Sequence, residues 1–437
     1  MLPIRILEGS SPELSASLKR RGAFRDQETE RIVAEAILDV RTRGDAALLD
    51  SARRYDSPFL DSVLVTEREV AEAKIPLEDQ EAIEAAYQRI SEFHAKQMSV
   101  LTSGLVGGDG WSWQIDPATN LGQRYLPLGS AGLYVPGGRA AYPSSVLMLA
   151  GPANAAQVLR LVLTSPARRD GTLDPSVLVA LRTAGIAHAF KIGGAAAIAA
   201  LALGTESIPR VDKIAGPGNR FVNEAKRQLW GQVGLDGYAG PSEVAVIADE
   251  TANPRFAAAD LITQVEHAPD NAGFLICIGR PTLDAILAEV ETQLKDAPRA
   301  DIIRAALKDE SLAIVVRDAR EAAELVNEIA PEHVTVSVRN ADEMAGLIRN
   351  AGCVLIGDWT PESVSDYALG PSHTLPTGGS ARFASPVNVL DFLKVQSVTG
   401  LTEAQLQPLA ALAETLGRIE GFPAHSFGAT VRYPKRS

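Results

Sequence analysis

The sequence predicts an α/β protein with two α/β domains, and three observations support this. The chain has 437 residues, which is more than one ordinary hydrophobic core accommodates. Short runs rich in β-branched residues alternate with helical stretches from residue 133 onward, and a second series of the same kind starts at residue 243. Such alternation indicates βαβ units and parallel sheets covered on both faces.

The chain before about residue 120 is charged and has a helical pattern. Ile32, Ala36, Ile37 and Val40 lie at helix spacing. We expect a helical scaffold in this part of the chain.

The two α/β series then follow in order. The first reads GLYVPGG, VLRLVLTSP, LDPSVLVALRTAG, HAFKIGG, AAAIAALALGT, VDKIAGPGN and FVNEAKRQLWG. The second reads EVAVIADE, a helix ending near residue 267, FLICIG, TLDAILAEVETQL, SLAIVVRD, another helix, HVTVSV and VLIGD. Residues 370–385 predict loop and linker, and EAQLQPLAALAETLGRIEG predicts a helical tail.

Composition excludes several classes of partner. The net charge of -12 argues against nucleic acid and anionic membranes, because both attract basic surfaces. Cys277 and Cys353 lie in apolar runs, so we expect no disulfide and a reducing cytoplasm. The start MLPIRILEGS has too short an apolar stretch for a signal peptide. The uncharged stretch between Arg139 and Arg160 contains two prolines and predicts a buried core segment, not a membrane span.

Four of the six histidines lie in polar surroundings: His267 in QVEHAPD, His333 in APEHV, His373 in GPSHTLPT and His425 in FPAHSFG. Gln264 and His267 are three residues apart, so on a helix they project from one face. Nitrogen and oxygen ligands suit zinc or a similar divalent ion. The spacing permits a metal site, and the polar end of a helix is the alternative.

Carboxyl groups accompany these histidines. Glu332 and His333 come at the start of a predicted strand and point to opposite faces unless the backbone bends. Together they offer two proton acceptors, and a solvated corner is the alternative. Asp358, Glu362 and Asp366 follow the last predicted strand, where open α/β sheets bind ligands. Taken singly, each is more simply a surface acid.

Glycine-rich turns recur in YVPGGRAAYPSS, KIGGAAA, AGPGNRF and YAGPSEV. They allow a ligand to approach the backbone closely, and they open helices whose amides meet phosphate. No GxGxxG follows the first strand of either series, so the turns alone are weak evidence for a nucleotide.

Eight motifs together carry a resemblance to a known family. They are GLYVPGGRAAYPSSVLM, DKIAGPGNRFVNEAKRQ, AGPSEVAVIADE, QVEHAPD, APEHV, GDWTPESVSDYA, LPTGG and EGFPAH. In this order, over nearly the whole chain, they resemble histidinol dehydrogenase.

The resemblance implies two Rossmann-like α/β domains in an intertwined homodimer. The segments expected are 1–23 at the N-terminus, 24–133 with 242–387 as the catalytic and metal domain, 134–241 as an incomplete Rossmann-like NAD domain, and 388–437 as a helical tail reaching the partner subunit.

It also implies a zinc enzyme that oxidises L-histidinol through L-histidinaldehyde to L-histidine with two NAD, the last step of histidine biosynthesis. One zinc per subunit would be held by Gln264, His267, Asp366 and His425. The metal would orient the imidazole and amino nitrogens of the substrate. Manganese and cobalt accept the same ligand types.

The family's catalytic roles fall on two residues here. His333 would take the hydroxyl proton, and Glu332 would activate the water that adds to the aldehyde. Substrate contacts would come from these and other positions: Ser242, Gln264, His267, His333, Asp366, His373, Glu420 and His425. Glu420 and His425 would belong to the partner subunit.

Tyr134 and Asn219 match NAD-contacting positions, and Ala196 stands where the family usually has Gln, which predicts weaker NAD binding. Gly237, Tyr238 and Ser372 also depart from the family pattern. These changes leave open a zinc and NAD dehydrogenase for another polar amino- or sulfo-alcohol. A metallohydrolase and a noncatalytic binding protein are the alternatives from other classes.

Overall fold

The computed structural model describes residues 2–19, 26–103, 110–116, 119–138, 140–237 and 240–432, with only the backbone described at 110–116 and 119. Tyr238, one of the departures from the family pattern, lies outside the described residues. The strands are, in chain order, β1 (Arg5–Glu8), β2 (Gly110–Asp116), β3 (Thr119–Pro127), β4 (Ser130–Tyr134), β5 (Arg160–Ser165), β6 (His188–Lys191), β7 (Lys213–Ala215), β8 (Gly234–Leu235), β9 (Glu243–Ala248), β10 (Ala272–Ile278), β11 (Leu312–Val316), β12 (His333–Ser337), β13 (Cys353–Ile356) and β14 (Leu393–Gly400).

The helices are, in chain order, α1 (Pro12–Lys19), α2 (Gln27–Arg43), α3 (Asp45–Tyr55), α4 (Glu67–Glu72), α5 (Leu77–Thr102), α6 (Pro143–Ala155), α7 (Pro175–Thr183), α8 (Gly194–Leu203), α9 (Arg220–Leu229), α10 (Pro254–Val265), α11 (Arg280–Gln293), α12 (Ala300–Asp309), α13 (Ala319–Ile329), α14 (Ala341–Leu347), α15 (Glu362–Ala368), α16 (Glu403–Ile419) and α17 (Pro423–Thr430). Short 3₁₀ turns cover Ser380–Arg382 and Val389–Phe392.

The first sheet has the strand order β1-β11-β10-β9-β12-β13, and all its neighbouring strands are parallel. Alternate residues of a strand enter different cores, because successive side chains point to opposite faces. Val244 packs with α10, α11 and α12, whereas Ala245 packs on the other face with α1 and α13. Both faces are therefore covered, as predicted for the second series.

The second sheet has the order β6-β5-β4-β7-β8 and is also parallel throughout. Helices α2, α3, α8 and α9 contribute to one apolar core with its strands. Helix α6 is buried on every side over residues 145–153, which agrees with a core segment in the uncharged stretch. Among the described helices, none combines the length and apolar character needed to cross a membrane. The predicted α/β class with parallel sheets is confirmed.

Two expectations need correction. The chain before residue 120 is mainly helical, but β1 pairs with β11 at the edge of the first sheet, and β2 belongs to a third sheet. The four residues of β1 are too few to show the two-residue period of a strand, so this segment is a strand because it pairs with β11. Residues 370–385 are irregular as predicted, yet they are not a free linker, because Thr374, Leu375, Thr377 and Ser380 are buried.

The third sheet is antiparallel, in the order β14-β3-β2, and sequence analysis did not predict it. It belongs to a second compact unit formed by Gln97–Pro127 and the chain from Leu393 onward, which also holds α16 and α17. The first unit comprises the chain up to Lys96 together with Leu128–Phe392, and it contains both parallel sheets. The finer segment boundaries given above stay a prediction.

Candidate active site

Helix α10 brings Gln264 into the interior of the first unit. Asn253 caps its start by accepting a hydrogen bond from the Arg255 N–H at 3.0 Å, and Pro254 follows at the first helical position, where its missing N–H costs nothing. The helix ends at Val265, so His267 lies just beyond it and not on its face. The His267 ring folds back on the end of the helix, and its Nδ1 lies 3.2 Å from the backbone carbonyl oxygen of Gln264.

Glu332 and His333 meet at the Gln264 amide. Both are buried, and the Gln264 Nε2 lies 2.9 Å from the Glu332 Oε2 and 3.1 Å from the His333 Nδ1. The chain turns before β12 because Ala330 adopts a left-handed conformation with φ 49°. Both side chains therefore reach the same amide, and their burial excludes the solvated corner.

Asp366 on α15 completes the contact network on the other side of the imidazole. Its Oδ1 lies 3.1 Å from the His333 Nε2, and its backbone carbonyl oxygen lies 3.1 Å from the His373 Nδ1. The other His373 nitrogen lies 3.4 Å from the hydroxyl of Ser145 on α6. Sequence analysis missed Ser145, although it is part of the quoted YPSS motif.

The contacts define hydrogen positions, because a carbonyl oxygen only accepts and an amide nitrogen only donates. His267 must carry its proton on Nδ1, which leaves Nε2 with a free lone pair. The side-chain Nε2 of Gln264 is engaged, so the side-chain Oε1 is the atom of this amide that remains available. A neutral His333 accepts from Gln264 at Nδ1 and donates to Asp366 from Nε2, whereas a protonated ring needs the amide oxygen of Gln264 at Nδ1 instead.

Burial and charge shift the acid and base groups of this network. Burial raises the pKa of Glu332 to about 7. Burial alone lowers the pKa of His333, but the carboxyl groups of Glu362, Asp366 and Glu332 outweigh it and hold this pKa well above its ordinary value. Burial likewise raises the pKa of Asp366, but the hydrogen bond from His333 and the neighbouring imidazoles bring it below the usual range. Burial lowers the pKa of His373.

Glu362 is a further member that sequence analysis treated as a surface acid. Its side chain is fully buried, and neither carboxyl oxygen has a hydrogen-bond partner among the described residues. Burial raises its pKa well above the ordinary value, and its backbone N–H donates to the carboxyl group of Asp260. The available signal was its position four residues before Asp366, which places both acids on one face of a helix.

Of the predicted zinc ligands, His267 has the hydrogen-bond arrangement that is typical of a metal-bound histidine. A metal-bound histidine usually donates its second ring N–H to an oxygen acceptor, and His267 does so to a backbone carbonyl. In the part of the chain that the structure describes, no three His, Cys, Asp or Glu side chains are grouped closely enough to hold a metal. The predicted set has only His267 and Asp366 of these types in the first unit. It adds the amide of Gln264 and His425 of the partner subunit.

The remaining predicted substrate contacts are placed differently. Ser242 precedes β9, and its backbone bonds to the side chain of Asn271 and to the backbone of Ala272. Glu420 ends α16 and His425 lies on α17, both exposed in the second unit. The His425 ring packs against that of Phe422 with centroids 5.3 Å apart. The roles of these residues stay predictions.

The predicted cofactor contacts line one groove of about 2020 Å³ in the first unit. Tyr134 ends β4, Ala196 follows β6 and Asn219 follows β7, so all three lie beyond the carboxyl ends of the second sheet's strands, where such sheets bind ligands. The buried Tyr134 hydroxyl accepts from the Gly194 N–H at 3.2 Å, and burial raises its pKa to about 12. Asn219 caps α9 by accepting from the N–H groups of Phe221 and Val222, which leaves its amide nitrogen for a ligand.

Two of the departures from the family pattern can be placed. The buried Ser372 hydroxyl contacts the Met148 carbonyl oxygen at 3.4 Å and accepts from the Thr374 N–H at 3.2 Å, so it supports loop backbone. Gly237 is exposed, and its N–H donates to the Asp236 carboxylate.

Comparisons with known proteins agree over almost the entire chain. A family model described as histidinol dehydrogenase matches residues 19–433. Histidinol dehydrogenase of Neisseria gonorrhoeae is 42% identical over 434 residues, 98% of this chain and 99% of the relative. The Synechococcus enzyme of that name is 44% identical over 407 residues, 92% of each chain. The crystal structure of histidinol dehydrogenase from Elizabethkingia anophelis matches with a TM-score of 0.91 at 32% identity, covering 99% of this chain and 98% of that one.

Proposed function

Because the chain belongs to the histidinol dehydrogenase family, we propose that it oxidises L-histidinol through L-histidinaldehyde to L-histidine, using zinc and two NAD in succession. The observation that carries the proposal is one chain of contacts: the Gln264 amide lies within hydrogen-bond distance of Glu332 and His333, and the other side of the His333 ring contacts Asp366. These are the residues on which the family's acid–base and metal motifs fall, and contacts between buried groups bring them together.

Zinc, when bound, supplies a template for the imidazole and amino nitrogens of the substrate. It would be held by the side-chain Oε1 of Gln264, the His267 Nε2, an oxygen of Asp366 and His425 of the partner subunit. His267 is preset for this role, because its proton is committed to the backbone at Nδ1.

His333 acts as the base that takes the hydroxyl proton when hydride leaves for NAD. This role needs the neutral ring, so the raised pKa of His333 predicts that oxidation of the alcohol speeds up as the pH rises. The Asp366 carboxylate then stabilises the imidazolium, since it already contacts Nε2. Glu332 acts in the second oxidation, where its ionised carboxyl group accepts a proton from the water that attacks the aldehyde. A pKa of about 7 suits this task, because the group is partly ionised near neutral pH and still basic enough to accept a proton.

The proposal includes a homodimer that shares its sites. Helix α16 exposes apolar side chains in a stripe at positions 409, 412, 416 and 419, and Phe422 and Phe427 beyond it are also exposed. Contiguous exposed apolar surface of this kind supports an interface with a second copy.

The two free cysteines, Cys277 and Cys353, suit a reducing cytoplasm.

A second candidate keeps the chemistry and changes the substrate to another polar amino- or sulfo-alcohol. The half-buried carboxyl group of Asp366, whose pKa lies below its usual range because of the hydrogen bond from His333 and the neighbouring imidazoles, favours a cationic amino-alcohol over an anionic sulfo-alcohol, because like charges repel. L-Histidinol therefore remains the first choice.

The test is NADH formation by the zinc-loaded protein with L-histidinol and with a panel of other amino- and sulfo-alcohols. We expect two NADH per L-histidinol and a specificity constant of at least about 10⁴ M⁻¹s⁻¹, the low end for working enzymes. A value far below this, with a higher value for another alcohol, would favour the second candidate. No NADH from any alcohol would contradict both.

A further inference from the structure

A buried ion pair holds the loop between β7 and α9, and the proposed chemistry does not use it. The Lys226 Nζ on α9 lies 2.8 Å from the Asp236 Oδ1 just after β8. The two side chains are 2% and 4% exposed. Full burial of both charges is costly unless every polar atom finds a partner, so the remaining contacts of the pair are informative.

Both members of the pair bind the same loop residue, Gly216. The Lys226 Nζ donates to the Gly216 carbonyl oxygen at 2.5 Å, and the Gly216 N–H donates to the Asp236 Oδ2 at 2.7 Å. The Asp236 Oδ1 also accepts from the Gly237 N–H at 2.8 Å. One ion pair thus satisfies both backbone polar groups of a single glycine.

Gly216 is confined from the other side by the end of β4. Its φ is +128°, and a Cβ atom built on it would lie 2.1 Å from the Tyr134 carbonyl oxygen. The loop backbone is therefore pressed against the residue whose hydroxyl reaches the Gly194 N–H in the groove. Gly216 therefore has no room for a side chain, and its backbone cannot move closer to β4.

The loop continues to Asn219, which lines the same groove. Asn223 holds the intervening Gly218 carbonyl oxygen at 2.8 Å, and Asn219 caps α9. By holding Gly216, the ion pair consequently fixes the position of Asn219 relative to Tyr134, and these are two of the three predicted cofactor contacts.

We propose that Lys226 and Asp236 are positioning residues for the dinucleotide, holding residues 216–219 in the conformation that binds NAD. This inference rests on the proposed function, because it takes NAD as the ligand of the groove. A purely structural pair is the alternative. Replacing a buried ion pair by apolar residues often leaves stability unchanged, so the two roles are separable.

The experiment compares the wild type with the double variant Lys226→Met/Asp236→Leu, which leaves no unpaired buried charge, and with Asp236→Asn, which leaves a single acceptor oxygen for the Gly216 N–H, the Gly237 N–H and the Lys226 ammonium group. Calorimetric titration gives the Kd for NAD, and a separate titration of zinc-loaded protein gives the Kd for L-histidinol. We expect the NAD Kd and the KM for NAD to rise about tenfold, the cost of re-ordering roughly one loop residue. The L-histidinol Kd and the kcat at saturating NAD should stay within about twofold of the wild-type values. A twofold change corresponds to less free energy than the loss of one hydrogen bond.

The matched control is Lys213→Met/Asp391→Leu. This pair joins at 2.7 Å with side chains 16% and 17% exposed, but Lys213 lies at the amino end of β7, opposite the groove. The control should leave the NAD Kd unchanged. Equal NAD affinity in wild type and the Lys226/Asp236 variants would overturn the inference, as would failure of both variants to fold by circular dichroism. If the wild type binds no NAD, the proposed function itself fails.

Discussion

Replacing Glu332 by Gln separates the cost of a buried charge from its use in the reaction. Glu332 is 6% exposed, and its carboxyl group accepts from the Glu243 N–H at 3.0 Å and from the Gln264 amide at 2.9 Å. An amide of the same shape keeps one acceptor oxygen and carries no charge at any pH. The substitution therefore removes ionisation while largely preserving volume.

The stability effect follows from the pKa. Burial raises the pKa of Glu332 from 4.5 to about 7. Below pH 4.5 the group is protonated in both the folded and unfolded states. As the pH rises to about 7 the unfolded state ionises first, so the folded state loses stability. The difference of about 2.5 pH units corresponds to about 3 kcal/mol, since one unit equals about 1.4 kcal/mol. We expect metal-free Glu332→Gln to unfold at a temperature a few degrees higher at pH 8 and at an unchanged temperature at pH 4.

The kinetic effect should be opposite in sign. Without an ionisable group to accept the proton of water, oxidation of L-histidinaldehyde should slow by about 10²- to 10⁴-fold, the usual worth of a general base. Oxidation of L-histidinol should slow much less. In the wild type the aldehyde step should rise with pH through about 7, because only the ionised carboxyl group is a base, and the variant should lack this rise.

Stopped-flow single turnovers started from each substrate measure the two oxidations separately. Equal losses in both would refute the division of labour between Glu332 and His333. An unfolding temperature at pH 8 that does not rise would refute the buried-charge argument. Glu81→Gln, the same substitution at an exposed carboxyl group on α5, is the control and should change neither quantity.

Three other experiments test separate parts of the molecule. Ala196→Gln restores a side-chain amide in the groove and should lower the NAD Kd about five- to tenfold by titration, the value of one net hydrogen bond of about 1 kcal/mol; an unchanged Kd would contradict the assigned contact. Gly216→Ala forces a Cβ to 2.1 Å from a carbonyl oxygen and should cost about 3 kcal/mol or more in urea unfolding, whereas Gly346→Ala, with open space around it, should not destabilise. Mixing inactive His267→Ala with inactive His425→Ala should recover some NADH formation through hybrid sites, and no recovery after verified subunit exchange would refute the shared site.

Local pattern predicted the elements well where their signal is local. The βαβ alternation follows from hydrophobic periodicity, and the buried core segment between Arg139 and Arg160 follows from its lack of charge and its prolines. The third sheet does not, because β14 pairs with β3 across more than half the chain and no local pattern specifies that partner. Glu362 shows the same limit at one residue: its spacing resembles that of any helical acid, and only packing reveals that it is buried.

The sequence by itself determined the fold class and the family, because these depend on composition, periodicity and ordered motifs, and it predicted the candidate site residues apart from Ser145. Tertiary structure decided how those residues meet. Alternation placed Glu332 and His333 on opposite faces, but Glu332 precedes β12, and the Gln264 amide from α10 lies within hydrogen-bond distance of both side chains. Helix spacing aligned Gln264 with His267, yet the helix ends first, and the His267 ring contacts the backbone carbonyl oxygen of Gln264. These contacts form because buried polar groups on distant segments need hydrogen-bond partners. Residues next to each other in sequence do not specify which distant segment supplies the partner.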